Sequence, residues 1–328
     1  MRSQPLYHRS DWAEVGLPAP CAGGSLPPLP PGSGTAGRWM RETRGGALAV
    51  RWLAAQNAFE SRLYGFPIWD LRIEAGLDGA GSAPGDLFTP LQEHLAVDID
   101  RLLGAPPWGA AYVCSKVVAG EPLHHALSRI GFEQIELRRI YKTSASGMAS
   151  GKPSDSDRTI SFTSLAEVAP ERRARCREQI FDICREAFGH KGFSRHFTDP
   201  FLLERRAGLD YILAAMQLNF DRLPPAGFLV AVDEQLDRVA GFSVFGEKPG
   251  FIGATHTQLL SAVHGAYRGS GVYGGLTRLL WHSLPPDATL LNVTHVENLG
   301  MQSAYQKSGR VRLADTVIVR RVFSPGTA

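Results

Sequence analysis

Residues 258–309 read QLLSAVHGAYRGSGVYGGLTRLLWHSLPPDATLLNVTHVENLGMQSAYQKSG, and the predicted architecture follows from them. The apolar run 259–263 predicts a buried strand, and the glycine-rich loop 268–271 follows it. Apolar residues at helical spacing over 272–284 then predict a helix. The local order is therefore strand, glycine loop, helix.

The loop has the chemistry of an anion site. Gly269 and Gly271 allow the positive φ angles that point successive N–H groups into one concavity. A helix N-terminus directly after such a loop attracts phosphate oxygens, and Arg268 adds a cation at the rim. The predicted ligand is a phosphate or a pyrophosphate.

Two other phosphate-binding folds are less consistent with this loop. It lacks the Gly-Lys-Ser/Thr ending of a P-loop, which argues against nucleoside triphosphate hydrolysis. Gly269, Gly271 and Gly274 satisfy G-x-G-x-x-G, but a dinucleotide-binding fold needs more strand–helix repeats than fit after residue 284. The dinucleotide interpretation is the weaker alternative.

The second half of the stretch narrows the choice. Residues 289–296 predict a buried strand, 298–308 a short helix that stops at Gly309, and 311–322 a final strand or pair. This order resembles the GNAT family of N-acetyltransferases. Arg268-x-x-Gly271 matches the start of the family's acetyl-CoA loop, and its later signature is matched in order and spacing by Asn298, Met301, Tyr305, Lys307 and Gly309. The sequence departs from the family at Tyr273 (usually Gly or Ala), Met301 (Ala) and Arg310 (Phe).

The resemblance implies acetyl-CoA as cosubstrate. An open edge of the strand at 261–263 would pair with the amides of the pantetheine arm, as an added strand would. The cofactor-binding residues implied in this way are Ser261, Ala262, Val263, Arg268, Gly269, Ser270, Gly271, Val272, Tyr273, Gly274 and Asn298.

Tyr305 is the catalytic candidate, as the proton donor to the departing thiolate. It lies seven residues after Asn298, nearly two helical turns, and so on the same helix face. A phenol with a pKa near 10 stays protonated at neutral pH. The alternatives are a tyrosine packed in the core and, for Asn298, an N-cap of the helix, which is compatible with a cofactor contact.

The sequence identifies no general base and only a candidate acceptor region. His256, His295, Glu247 and Glu297 fall near strand ends, but each is explained as readily as an ordinary polar residue, and water suffices if the amine pKa is low. Cations between the first two helices of the second domain could meet the diphosphate of a nucleotide sugar, or could belong to a solvated loop: His190, Lys191, Arg195 and His196.

The composition is ordinary for a soluble enzyme. The 328 residues are 44% apolar and carry a net charge of +3, too small to indicate nucleic acid or a membrane surface as partner. Four cysteines without C-x-x-C spacing indicate neither a metal site nor a disulfide framework. Neither a membrane-spanning run nor a signal-peptide core is apparent, so we expect a cytoplasmic location.

The chain is expected to contain two domains. A Pro/Gly-rich flexible segment (1–46) precedes a partial GNAT-like domain (47–143), a linker (144–157) and the GNAT domain (158–328). In the first domain 126–131 repeats the pattern of 304–309, with Leu127 in place of Tyr305. The second predicts a strand (158–163), two helices (170–188 and 202–220) and a hairpin (228–232 and 239–245) before residue 258.

The predicted fold class is α/β, an α+β mixed sheet with the GNAT fold and an N-terminal partial copy. Three short stretches are similar to the dTDP-fucosamine (dTDP-4-amino-4,6-dideoxygalactose) N-acetyltransferases: Phe59-Glu-Ser-x-Leu-Tyr-Gly65, the LSRIGF of 127–132, and Ala187-Phe-x-x-x-x-Phe-Ser-Arg-His-Phe197. This implies acetyl transfer to the amino group of a nucleotide-linked amino sugar, by direct attack in a ternary complex.

Alternatives to this function are a GNAT enzyme acting on another small amine or on a protein N-terminus, and a CoA-binding module without catalysis. The identity of the acceptor and the oligomeric state, a homodimer included, are left open by the sequence.

Overall fold

The computed structural model describes residues 38–45, 48–77, 111–120, 122–144, 160–189, 192–247, 255–285 and 287–323. The chain divides into two compact units. The first comprises Met1–Arg138 with Ala314–Ala328, and the second is Arg139–Leu313. Among the described residues, no helix is both long enough and apolar enough to cross a bilayer.

The first unit contains a sheet with two short helices. Its described elements are β1 (Arg38–Gly45), β2 (Leu48–Gln56), α1 (Ala58–Tyr64), β3 (Ile68–Leu77), β4 (Ala111–Val118), α2 (Pro122–Arg129), the first half of β5 (Glu133–Ser144) and most of β11 (Val311–Phe323). The strand order includes β1-β2-β3-β4-β11, in which β3 and β4 are parallel and the other neighbours antiparallel. Its core contains Ile73, Val113, Val117, Leu127 and Val319.

The motif that begins at Phe59 is a capped helix. The Asn57 side chain accepts a hydrogen bond from the Glu60 N–H at 3.1 Å, which satisfies one free donor of the first turn. Gly65 ends α1 in the left-handed conformation, and Tyr64 is buried. This stretch therefore has a structural explanation of its own.

The internal repeat predicted from the sequence recurs in the local order of elements. In the first unit, β4 leads to α2, then to Gly131 with φ 83° and to β5. In the second, a strand leads to the helix Leu299–Lys307, then to Gly309 with φ 73° and to β11. Leu127 is fully buried, so the position that matches Tyr305 is a core residue in the first unit.

The second unit contains the second half of β5 and a further series of helices and strands. They are β6 (Ile160–Ser164), α3 (Pro170–Phe188), α4 (Arg195–Thr198), α5 (Pro200–Leu203), α6 (Gly208–Arg222), β7 (Phe228–Asp233), β8 (Arg238–Glu247), β9 (Thr255–Val263), α7 (Val272–Ser283), β10 (Thr289–His295) and α8 (Leu299–Lys307). The strand order is β5-β10-β9-β8-β7-β6. β6 to β9 pair antiparallel, whereas β9 and β10 are parallel, so the predicted mixed α/β class is confirmed.

The sheet of the second unit is covered on both faces. Phe228, Val230 and Val232 of β7 pack with residues of α3 and α6, while Leu229 and Ala231 pack with residues of α7. This alternation follows from the period of two along a strand, and it makes β7 buried over its whole length. α7 is thereby fixed against the sheet.

The structure corrects two predictions about secondary structure. The helix predicted for 202–220 is divided into α5 and α6, because Asp199 caps a separate short turn at Pro200 and the chain then restarts at Gly208. The segment 1–46 was predicted to contain no strand, because it is rich in proline and glycine. Residues 38–45 of this segment nevertheless form β1. The proline-rich run ends before residue 38, which explains the strand.

The predicted domain limits stay a prediction. Ala314–Ala328 groups with the first unit because residues from Thr316 to Phe323 pair with β4. Most of the predicted linker 144–157, and residues 1–37 of the N-terminal segment, lie outside the described residues.

Candidate active site

The sheet of the second unit opens between β9 and β10. The parallel register joins only Thr289 to Thr255, Leu290 to His256 and Leu291 to Thr257. On its other side β9 stays paired with β8 as far as Val263. Within the described register, one edge of β9 from residue 258 onward therefore has no strand partner. Ser261, Ala262 and Val263 lie on this open stretch, where main-chain N–H and C=O groups can pair with an extended ligand.

The loop after β9 has the backbone conformation expected of an anion site. Gly269 and Gly271 both have φ of +81°, a conformation that L side chains rarely adopt. A Cβ on Gly269 would meet nothing within 4 Å, so the conformation and not crowding requires glycine there. Tyr267 anchors the loop, because its buried hydroxyl donates to the Asp233 carboxylate at 2.9 Å.

Free N–H groups collect where this loop enters α7. Gly271 is the N-cap of α7 and supplies no capping side chain. In the part of the chain that the structure describes, no acceptor is found for the main-chain N–H groups of Gly269, Gly271, Val272, Tyr273 and Gly274. The helix dipole adds to their preference for negative charge.

The remaining loop side chains leave the N–H groups open. Arg268 is exposed, and its Nε donates to the Val263 carbonyl at 3.4 Å. The Ser270 hydroxyl donates to the Tyr267 carbonyl at 2.6 Å. Of these two predicted residues, Arg268 keeps its charge at the surface beside the loop, whereas Ser270 is engaged in holding the turn.

A polar network joins α7 to the strands beside the opening. The hydroxyl of Tyr273, the second residue of α7, donates to Gln258 Oε1 on β9 at 3.2 Å. The fully buried Asn292 on β10 donates to the same oxygen at 2.6 Å, and Gln258 Nε2 donates to Ser243 on β8 at 2.8 Å. The polar side chains at the start of the opening therefore belong to one connected group.

Tyr305 on α8 lies beside this network. Its side chain is buried and meets the ring of Tyr141 edge-on, with centroids 5.0 Å apart. Burial, and then the neighbouring Tyr273, raise the pKa of Tyr305, an effect that nearby Arg310 partly offsets. The phenol therefore stays protonated throughout the physiological pH range, as a proton donor must.

Asn298 forms the cap predicted as its alternative role. Its side-chain oxygen accepts from the Met301 N–H at 3.2 Å at the start of α8. Gln302 donates to the Val296 carbonyl and holds the same turn. The cap does not exclude a contact between Asn298 and the cofactor, and that contact stays a prediction.

Comparison with known proteins adds to this geometry. No protein-family model matches the chain, and no curated protein matches it. The chain is similar to one solved structure, the GCN5-related N-acetyltransferase from Sphaerobacter thermophilus. The match spans 86% of this chain and 82% of that protein, with 15% identity and a TM-score of 0.50. This chain has the GNAT fold.

Two other solved structures have lower TM-scores. One is an acetyltransferase from the GNAT family from Colwellia psychrerythraea. The match spans 84% of this chain and 85% of that protein, with 10% identity and a TM-score of 0.47. The other is a tandem GNAT protein from the clavulanic acid biosynthesis pathway. The match spans 90% of this chain and 84% of that protein, with 14% identity and a TM-score of 0.43.

The four base candidates occupy different environments within the GNAT fold. His256 is buried on β9, and no hydrogen-bond partner for its Nδ1 lies among the described residues. His295 stacks on Phe193 with centroids 5.8 Å apart, and its Nδ1 accepts from the Glu297 N–H. Glu247 and Glu297 are exposed. Among the described residues, no hydrogen bond or ring contact joins any of the four to Tyr305.

The region between α3 and α6 is described in part. His190 and Lys191 lie outside the described residues. Arg195 and His196 are buried, and the imidazole of His196 stacks on Tyr211 with ring centroids 3.4 Å apart. For these two residues, the alternative of a solvated loop is wrong.

Four members of the network are not predicted from the sequence: Ser243, Gln258, Asn292 and Arg310, whose Nη1 donates to the Tyr273 hydroxyl at 3.0 Å. Arg310 was noted only as a departure from the usual Phe. The available signals were a polar residue inside an apolar strand, for Asn292, and an arginine directly after a helix-stop glycine, for Arg310.

Proposed function

We propose that this chain is an N-acetyltransferase that moves an acetyl group from acetyl-CoA to a primary amine in a ternary complex. One juxtaposition carries the proposal: the open edge of β9 leads into the free N–H groups of the loop, and Tyr273 of that loop's helix is next to Tyr305. The GNAT fold supports the same conclusion.

The residues present fit acetyl-CoA. The N–H groups from Gly269 to Gly274 suit the pyrophosphate, and Arg268 adds a surface cation. The unpaired edge at Ser261, Ala262 and Val263 suits the two amides of the pantetheine arm. Asn298 is assigned to the same arm on the family resemblance. Acetyl-CoA supplies an activated thioester carbonyl.

Tyr305 acts as general acid in this proposal. Its raised pKa keeps the proton on the phenol at neutral pH, so the phenol can donate a hydrogen bond and then its proton to the sulfur as negative charge develops there. Burial excludes water, so the proton transfer is directed to the bound reactant. The acceptor nitrogen releases its proton to solvent in this proposal, because none of the four base candidates has a described hydrogen bond to Tyr305 or to the network around it.

The acceptor class in this proposal is a nucleotide-linked amino sugar of the dTDP-4-amino-4,6-dideoxyhexose type. Its support is the resemblance of the stretches at 59–65, 127–132 and 187–197. Arg195 and His196 of the last stretch are buried, and His196 stacks on Tyr211, so their assignment to the diphosphate rests on the resemblance alone. The cytoplasmic location and the homodimer remain predictions that accompany this function.

Product analysis tests the proposal. The full chain is mixed with acetyl-CoA and a panel of amines that contains nucleotide amino sugars, polyamines and peptides with free N-termini. Mass spectrometry should detect a gain of about 42 Da, approximately the mass of one added acetyl group, on a nucleotide amino sugar only. The same mass gain on peptides or polyamines instead would show that the acceptor belongs to a different class. Binding of CoA without any product across the panel would favour the binding module.

A further inference from the structure

Arg310 is a buried cation next to the proposed reaction centre. Its side chain follows the stop glycine of α8 and is 4% exposed. Nη1 donates to the Tyr273 hydroxyl at 3.0 Å, and Cζ lies 4.4 Å from the centre of the Tyr305 ring. The guanidinium therefore contacts both aromatic residues that flank the proposed thioester site.

The other edge of this guanidinium has no partner among the described residues. Nε and Nη2 are buried and without a hydrogen bond, and within the described ranges no carboxylate lies at ion-pair distance from Arg310. These two nitrogens point their N–H groups in the same direction and form the fork that binds both oxygens of a carboxylate. Arg138 of the same chain uses this fork on Glu136, at 2.5 and 2.8 Å.

An unfilled fork in a buried position is costly. A guanidinium cannot lose its proton in a protein, so burial cannot be relieved by neutralisation. The face of Tyr305 offers a cation–π contact, but this does not satisfy the N–H groups in the guanidinium plane. The arrangement has the features of a receptor for an anionic group that arrives with a ligand.

The surroundings identify which reactant carries that group. Tyr273 and Tyr305, the two residues that Arg310 touches, are those that the proposed function assigns to the thioester. Asn292 on the adjacent strand also has a buried oxygen without a partner in the described part of the chain. Arg195 and His196, proposed for the acceptor, have no described contact with Arg310.

We propose that Arg310 binds the terminal carboxylate of a short dicarboxylic acyl group. The preferred donor would then be a CoA monothioester of a dicarboxylic acid, such as malonyl- or succinyl-CoA, and acetyl-CoA a weaker one. This rests on the proposed function and changes only the class of acyl donor.

The transfer keeps the same chemistry with the longer acyl group. The neutral amine nitrogen forms a bond to the thioester carbonyl carbon, and the carbon–sulfur bond breaks. Tyr305 gives its proton to the leaving sulfur. The nitrogen loses one proton to solvent, and the Tyr305 phenolate takes up one proton from solvent, which restores the phenol. The terminal carboxylate is not consumed and remains on the amide product, held by Arg310 until release.

Binding measurements without an acceptor test the inference. Calorimetric titration of the full chain with acetyl-, malonyl- and succinyl-CoA should show at least one dicarboxylic thioester bound about tenfold tighter than acetyl-CoA, or more. Arg310→Leu should abolish that preference, so that the three thioesters bind with similar affinity. Arg310→Lys keeps the charge without the fork and should lose most of the preference. Arg185→Leu, an exposed arginine on α3, is the control of equal charge and should keep it.

The outcomes separate this inference from the proposed function. Equal affinities for all three thioesters in the wild type, or a preference that survives in Arg310→Leu and Arg310→Lys, overturn the inference while acetyl transfer stands. A separate titration with carboxylate-bearing amines checks the other reactant: if Arg310→Leu lowers the affinity for these amines and leaves the affinity for all three thioesters unchanged, the inference is overturned also. Failure of the wild type to bind any CoA thioester would instead remove the proposed function.

Discussion

Arg310 Nη1 donates a hydrogen bond to the hydroxyl of Tyr273 at 3.0 Å. These are two of the three positions at which the sequence departs from the GNAT pattern, where Phe and Gly or Ala are usual. The two departures therefore belong together, because the longer side chain on α7 supplies the acceptor that a buried arginine requires.

A double-mutant cycle should detect this pairing. Tyr273→Phe alone leaves Nη1 of Arg310 buried without an acceptor, and we expect a loss of about 1–3 kcal/mol in unfolding free energy. In the Arg310→Leu background the same change orphans no donor and should cost clearly less, with a coupling energy of about 0.5–3 kcal/mol. Urea unfolding of the four proteins gives these values. Additive losses would mean that the bond does not contribute.

Removal of the Tyr305 hydroxyl should affect turnover more than binding. We expect Tyr305→Phe to lower kcat by about 10²–10⁴-fold, the usual contribution of a general acid, with unchanged acetyl-CoA affinity. The ring contact with Tyr141 is retained, so the fold should persist. Steady-state kinetics and calorimetry measure the two effects, and Tyr141→Phe is the control. Wild-type turnover in Tyr305→Phe would exclude the proposed acid.

The raised pKa of Tyr305 predicts a pH effect on stability. Burial raises the folded-state pKa of this phenol above its ordinary value of 10, so the folded chain keeps the proton after the unfolded chain has lost it. Its contribution is constant below about pH 10 and falls above it. Wild-type unfolding free energy should therefore decline more steeply above that pH than that of Tyr305→Phe, by about 1.4 kcal/mol per pH unit. Equal slopes would contradict the shift.

Local signals explain why much of the second unit could be predicted. β9, the glycine loop, α7 and α8 are marked by apolar periodicity, by Gly269 and Gly271, and by the Asn298 cap, each within a few residues. The break between α5 and α6 carries no comparable signal, because residues 204–207 contain no proline and α6 starts at Gly208 without a capping side chain.

The network around Arg310 could not be predicted in the same way. Its members come from β8, β9, α7, β10 and the residues after α8, so no window of sequence contains them. The opening of the sheet is also a property of register: β10 has seven residues, of which three pair with β9. Such features depend on tertiary pairing and not on residue type.

Two of the buried cysteines, Cys176 and Cys184, should be unreactive in the native chain. Burial raises the pKa of the Cys184 thiol to about 12 and also raises that of Cys176, so neither forms a thiolate near neutral pH. We expect iodoacetamide at about pH 8 to leave both unlabelled in the native chain and to label both in urea, by peptide mass spectrometry. Acetyl transfer activity should be the same before and after this treatment, because direct transfer uses no acyl-cysteine intermediate. Native labelling of Cys184 accompanied by inactivation would contradict direct transfer.

A pair of glycine substitutions should separate the anion loop from ordinary helix effects. Gly269 has a positive φ, and a Cβ placed there would meet nothing within 4 Å, so Gly269→Ala acts through the backbone alone. We expect this change to lower the unfolding free energy by about 1–2 kcal/mol and to weaken CoA binding, because the N–H groups turn away from the pyrophosphate. Urea unfolding and calorimetry measure the two effects.

The matched control for this loop is Gly300→Ala, in the first turn of α8, where a Cβ would have its nearest neighbour 3.9 Å away. It should raise the unfolding free energy by about 0.4–1 kcal/mol and keep CoA affinity. Titration with pantetheine, which lacks the pyrophosphate, completes the comparison. Gly269→Ala should bind CoA more weakly than the wild type does and should bind pantetheine equally well, because only the pyrophosphate meets the loop. Equal weakening of both ligands would place the pyrophosphate elsewhere.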